Sequence, residues 1–127
     1  MKKFKVIFLF AMLIFISACN KTDKVDENMI SININVYDKE AKEIYNQEIS
    51  TNEKYLSEAI KDIEDLNVIT VDSEYGEYIT SILDISEGDN YYWNYYINDE
   101  YAQVGISSCE VEDGKTYTFR IERYTND

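Results

Sequence analysis

Apolar and polar positions alternate from Ile30 to Tyr37, with Ile30, Ile32, Ile34 and Val36 on one side and Ser31, Asn33, Asn35 and Tyr37 on the other. A period of two predicts a strand with one buried face and one wet face. Asp38–Lys42 is a charged turn and Glu43–Ser50 reads as a second strand, so the pair predicts a hairpin. The period then changes. Leu56, Ala59, Ile60 and Ile63 fall at i, i+3, i+4 and i+7, which predicts one apolar face of a helix over Tyr55–Glu64. Thr51 or Asn52 can cap that helix, with Glu53 in its first turn. Further strands are predicted at Asn67–Asp72 and, after Tyr75-Gly76, at Tyr78–Asp84; Glu87–Asn90 is an acidic turn. Tyr91–Asn98 is an aromatic strand, Asn98-Asp99 sits where a two-residue hairpin turn falls, and Glu100–Val104 returns from it. Asp113-Gly114 marks a second turn, and Thr116–Arg123 closes the chain as a strand with Tyr117, Phe119 and Ile121 on one face. One helix cannot cover both faces of such a sheet, so the predicted class is α+β, with one main helix and one open sheet face.

A different pattern precedes these elements. Met1-Lys-Lys-Phe-Lys5 is positively charged, Val6–Ile16 is an apolar run, and Ser17-Ala18 are small residues ahead of Cys19. This is the layout of a cleaved export signal. The run is shorter than the roughly 18 apolar residues a spanning helix needs. Ile16-Ser17-Ala18-Cys19 resembles the bacterial lipobox, which implies a diacylglyceryl group on Cys19 and makes Cys19 the mature N-terminus. The polar stretch Asn20–Asn28 has no apolar periodicity and reads as a tether; fully extended, it reaches on the order of 30 Å. The predicted layout is therefore a signal peptide over 1–18, a lipidated Cys19 and tether over 19–29, and one domain over 30–124. The expected location is the extracytoplasmic face of the cell membrane.

Composition narrows the functional classes. The 127-residue chain has a formal net charge of −13, with 25 acidic residues against 12 basic. Removing the three leader lysines makes the remainder more acidic still. Such a surface repels nucleic acid and anionic head groups, so no nucleic-acid partner is expected. Lipidation claims Cys19 and leaves Cys109 without a partner, so there is no disulfide framework. Cys109 reads as a small core residue on a strand. The chain has no histidine, which removes the commonest metal ligand and acid–base catalyst. No nucleophile motif, Cys-x-x-Cys pair or phosphate-cradling glycine loop stands out, and the chain is not expected to be an enzyme. Asp84-Ile-Ser-Glu-Gly-Asp-Asn90 is rich in oxygen ligands. Its spacing does not match a calcium loop, and no metal or cofactor is expected.

The densest chemistry lies on the aromatic strand. Tyr91, Trp93, Tyr95 and Ile97 share one face, and Tyr92, Asn94, Tyr96 and Asn98 share the other. Ile97 and Trp93 mark the first face as core. The second carries tyrosines flanked by amides, which can stack on a flat ligand and hydrogen-bond its edge; the same pattern also serves cross-strand sheet stabilisation. The candidate ligand-binding residues are Tyr92, Asn94, Tyr96, Asn98 and Tyr101.

Trp93-Asn94-Tyr95-Tyr96-Ile97-Asn98-Asp99-Glu100-Tyr101-Ala102, then Gly105-Ile106 and Val111-Glu112-Asp113-Gly114-Lys115, resembles the C-terminal domain of transcobalamin and its bacterial relatives. These relatives form a domain of unknown function carried on exported lipoproteins. Upstream, Tyr75-Gly76, Ile79 and Ser81-Ile82 fit the same pattern, and the resemblance covers Leu56–Tyr124. It implies a β-grasp-like mixed sheet of the soluble ligand-binding type. The large helical domain that accompanies this module in transcobalamins is not expected here, so cobalamin binding is not expected to transfer. Two positions depart from the family. Asp99 replaces the usual glycine of the turn, which predicts a longer or differently shaped loop, and Cys109 stands where relatives carry an aromatic residue. The resulting expectation is a monomeric, membrane-anchored lipoprotein that binds a small, vitamin-like ligand and delivers it to a transporter. The alternative is a non-catalytic surface module that holds a protein or a glycan.

Overall fold

The computed structural model describes residues 28–125. Among these residues, eight strands, one short helix and two 3₁₀ turns build two sheets around one core. β1 (Ile30–Tyr37) and β2 (Glu43–Thr51) form the expected antiparallel hairpin. β1 also pairs in parallel with β8 (Thr116–Arg123), and β8 pairs antiparallel with β6 (Tyr91–Ile97). With β7 (Glu100–Tyr101) at the edge, the five-stranded sheet has the order β2-β1-β8-β6-β7. β3 (Ile69–Ser73), β4 (Gly76–Ile82) and β5 (Ile85–Ser86) form a separate three-stranded antiparallel sheet. Alternation dictates what each strand buries. Ile32, Ile34 and Val36 of β1, Tyr95 of β6, and Tyr117 and Phe119 of β8 meet Ile79 and Ile82 of β4 in the core.

This overturns the α+β expectation of a β-grasp-like mixed sheet with one main helix. The chain is mainly β, with 52% of the described residues in strands and the second sheet doing most of the covering expected of the helix. The helix α1 is only Leu56–Lys61. Asp62, Glu64 and Asp65 follow it, and negative charge at the negative end of a helix disfavours another turn. Ile63 leaves helical geometry at φ −86°, ψ 97°, and a 3₁₀ turn over Glu64–Leu66 follows. That turn buries Leu66, whose carbonyl accepts the Leu83 amide at 2.7 Å.

The expected side-chain cap of α1 does not form either. Thr51 Oγ1 instead accepts the Glu53 amide, and Tyr55 stands at the N-cap without a capping side chain. A distant segment replaces the cap: Leu56 donates its amide to Cys109 O at 2.8 Å, and Val111 donates to Lys54 O. Cys109 is buried as expected, but it ends the 3₁₀ turn Ile106–Ser108 rather than lying on a strand.

The turn at Asn98-Asp99 also corrects its expectation. Ile97 pairs directly with Glu100, so the loop has the minimal two-residue form, with φ 49° at Asn98 and 71° at Asp99. Both left-handed centres of a type I′ turn are occupied without glycine. Asn98 Oδ1 holds the Thr116 amide at 2.9 Å and its own amide donates to Thr116 O at 2.8 Å. Those bonds to the neighbouring strand brace the loop in place of the missing glycine. Gly76, by contrast, is required by its surroundings: its φ is +108°, and a Cβ there would meet Ser107 Oγ at 2.8 Å.

Candidate functional site: the outer face of the five-stranded sheet

Residues that alternate with the core positions point away from it, and no other element among the described residues packs as a layer on that side. The register places Tyr92 opposite Glu122, Asn94 opposite Arg120 and Tyr96 opposite Thr118. β1 adds Tyr37 beside Arg120, and β7 adds Tyr101 beside Tyr96. Four strands thus gather tyrosines around a polar centre. Glu122 Oε1 accepts the Tyr96 hydroxyl at 2.5 Å and Asn94 Nδ2 at 3.2 Å, and the Tyr101 hydroxyl donates to Asn94 Oδ1 at 3.4 Å. Donation to Glu122, helped by partial burial and the carboxylate's charge, pushes the Tyr96 phenol up to about 12. Tyr96 therefore stays a neutral donor at any physiological pH. The Arg120 guanidinium lies 3.9 Å over the Tyr37 ring and 5.8 Å from the Tyr96 ring.

The rings stand edge to face. Tyr96 and Tyr101 are 5.7 Å apart at 71°, and Tyr92 and Tyr124 are 6.4 Å apart at 86°. Between them runs a groove of about 340 Å³ lined by Tyr92, Asn94, Tyr101, Glu122, Arg123 and Tyr124. That volume lies at the lower end of the range for small-molecule sites. A second groove of about 250 Å³ shares Asn94 and Tyr101 and continues toward the Ala102–Ile106 segment.

Of the five residues singled out from the sequence, Tyr92, Asn94, Tyr96 and Tyr101 come together on this face. Asn98 lies at the turn with its amide oxygen engaged by Thr116. Trp93 and Tyr95 point inward, as the alternation requires. Trp93 Nε1 donates to Ile85 O at 3.0 Å, while Tyr95 stacks on Phe119 at 5.8 Å and donates to Val104 O at 2.5 Å. Burial above all, then the neighbouring Cys109, pushes the Tyr95 phenol up. Sequence reading missed Glu122, Arg120, Tyr37 and Tyr124. The alternation that puts Tyr117, Phe119 and Ile121 inward already sends Arg120 and Glu122 outward; what it lacks is that β8 sits between β1 and β6.

Elsewhere, the Glu77 carboxylate accepts Lys61 Nζ at 2.7 Å, Ser57 Oγ at 2.7 Å and Thr70 Oγ1 at 2.8 Å. The bond from Lys61, then those from Ser57 and Thr70, hold Glu77 down at about 2. This carboxylate ties α1 to β3 and β4. Burial pushes the Cys109 thiol up, which disfavours the reactive thiolate. Among the described residues, no group of three or more His, Cys, Asp and Glu is placed to hold a metal ion. Asp84 of the oxygen-rich loop instead accepts Asn67 Nδ2 at 2.9 Å. Cys19, the expected lipidation site, lies outside the described residues, as do the expected signal peptide and most of the expected tether. No helix among the described residues is long and apolar enough to cross a membrane.

Fold and face together define a small β-sandwich module with one open, tyrosine-rich sheet surface. The chain belongs to the family described as Domain of unknown function (DUF4430), whose model matches residues 46–123. The match begins within β2, so β1, although an interior strand of the sheet, lies outside it. No curated protein matches the chain. Among solved structures, a proposed metal-binding protein from Ruminococcus gnavus ATCC 29149 is similar at 21% identity and a TM-score of 0.69. That alignment covers 76% of this chain and 99% of the other. Haptocorrin in complex with Cbi is similar at 24% identity and a TM-score of 0.65. Here 76% of this chain is covered, and the chain spans only 26% of haptocorrin's length. The similarity of fold to haptocorrin agrees with the resemblance carried by the aromatic strand.

Proposed function

We propose that this protein is a membrane-anchored, extracytoplasmic lipoprotein that binds a small, flat, vitamin-like molecule on the outer face of its five-stranded sheet and presents it to a transporter. The observation that carries the reading is the tyrosine-walled groove whose polar groups, Asn94 and Glu122, are already held in place by hydrogen bonds with Tyr101 and Tyr96. Exposed rings offer stacking area at low entropic cost, and fixed amide and carboxylate groups orient a ligand's edge. The haptocorrin relative, solved with Cbi, adds support by analogy of fold. No catalytic role is proposed.

A thermal-shift panel of corrinoids, other planar cofactors and oligosaccharides tests this on the full chain. A ligand at 100 times its Kd adds about 2.7 kcal/mol to stability. The expected result is a hit whose shift disappears in Tyr92→Ala and Tyr101→Ala. A second reading, a surface module for a protein or glycan, is favoured by one observation. Val71 and Tyr78 are cross-strand partners on the outside of the small sheet, both about half exposed (50% and 51%). No response to small molecules, together with glycan or protein capture lost in Tyr78→Ser, selects that reading instead.

A further inference from the structure

At one end of the five-stranded sheet the strands stop at different heights. Tyr37 is the last residue of β1 to pair, opposite Arg120, while β8 and β6 run on until Tyr91 faces Arg123. The step leaves a notch of about 260 Å³, closed on one side by the turn after β1. Lys39, Arg120 and Arg123 all line it. Lys39 Nζ sits 4.9 Å from the centre of the Tyr91 ring, and Arg120 lies over Tyr37.

In a chain with a net charge of −13, cations should be consumed by carboxylates. Among the described residues, three ion pairs do take up Lys54, Lys61 and Lys115. Lys39, Arg120 and Arg123 enter none of them. Two acids, Asp38 and Glu122, also line the notch, each with one oxygen engaged by neutral donors. Asp38 Oδ1 turns back to accept the amides of Glu40 and Lys42 at 2.9 and 3.0 Å. Glu122 reaches over the outer face to Tyr96 and Asn94. Three cationic side chains thus border one concavity, while one oxygen of each bordering carboxylate is held by neutral donors.

We propose that this notch is an oxyanion site, taking the phosphate or carboxylate group of a small soluble molecule. Guanidinium groups present planar forks matched to such oxygens, and the tyrosine rings fix Lys39 and Arg120 without neutralising them. The site is distinct from the tyrosine groove, although Glu122 and Arg123 border both, and it does not depend on that groove being a binding site.

The test titrates inorganic pyrophosphate and citrate into the full chain at low ionic strength, following the arginine Nε–H resonances by NMR. The expected result is saturable movement of the Arg120 and Arg123 signals. Affinity should fall about tenfold or more in Arg123→Gln and in Lys39→Gln. Both side chains lie at the surface, and an unchanged melting temperature verifies that the variants fold. Arg120→Lys should weaken binding less than Arg120→Gln. Signals that move linearly with concentration, or equal affinity in the glutamine variants, overturn the proposal. A parallel sedimentation with phosphatidylglycerol and phosphatidylcholine vesicles separates the sources of the oxyanion. Retention on the anionic vesicles that Arg123→Gln abolishes, with no response to free pyrophosphate, assigns the group to a lipid headgroup and overturns the soluble-ligand reading.

Discussion

Asp99 holds φ at 71° in a turn that the sequence resemblance expects to be finished by glycine. An L-residue in the left-handed region costs roughly 1–2 kcal/mol, which Asp offsets only in part through local hydrogen bonding. Asp99→Gly should therefore raise stability by about 0.5–1 kcal/mol, seen as a higher urea midpoint with an unchanged m-value. Glu77 makes a prediction with a definite sign. Its folded-state value of about 2 lies below the ordinary 4.5, so its contribution is full above pH 4.5 and is lost as pH falls toward 2. Its side chain is 18% exposed but that of Lys61 is 39% exposed, so solvent screening trims the ion-pair part. Glu77→Gln should cost about 1–2 kcal/mol at pH 7 and flatten the drop in urea midpoint between pH 5 and pH 2.

β6 is the element on which packing and recognition separate by parity. Trp93→Ala removes a ring packed against the core and a hydrogen bond to Ile85 O, and should cost about 3 kcal/mol. Tyr96→Ala removes an outward ring and should cost about 1 kcal/mol or less, while abolishing any ligand response. Thermal melts of the two variants, run with and without a ligand found by screening, check the contrast; a stable Trp93→Ala beside an unfolded Tyr96→Ala would reverse the faces. The helix shows how an element can be legible in position but not in extent. Leu56, Ala59 and Ile60 are buried as their spacing predicts. The next apolar position, Ile63, packs at the core's edge from an extended backbone, because the acidic run after Lys61 ends the helix early.

For the whole molecule, the leader pattern and the acidic surface make one joint prediction. A lipid on Cys19 should hold the acidic domain at the membrane, since two acyl chains suffice where electrostatics oppose binding. Cys19→Ala should move the protein from the membrane fraction to the soluble fraction of fractionated cells; unchanged membrane association would reject the anchor.

Local periodicity by itself determined which residues of β1, β6 and β8 face the core, where the hairpin of β1 and β2 turns, and that Tyr92, Asn94 and Tyr96 share a surface. These follow from backbone geometry, in which side chains two residues apart lie on the same side. The tertiary structure alone decided that the strands divide into two sheets, because periodicity records which face is buried and not what buries it. It also set the order β1-β8-β6, which brings Arg120 and Glu122 from the far end of the chain between Tyr37 and the tyrosines of β6. Neither the groove floor nor the cationic notch exists within any one segment. Each requires a strand pairing between residues more than twenty positions apart, and that pairing is selected by how the whole core closes.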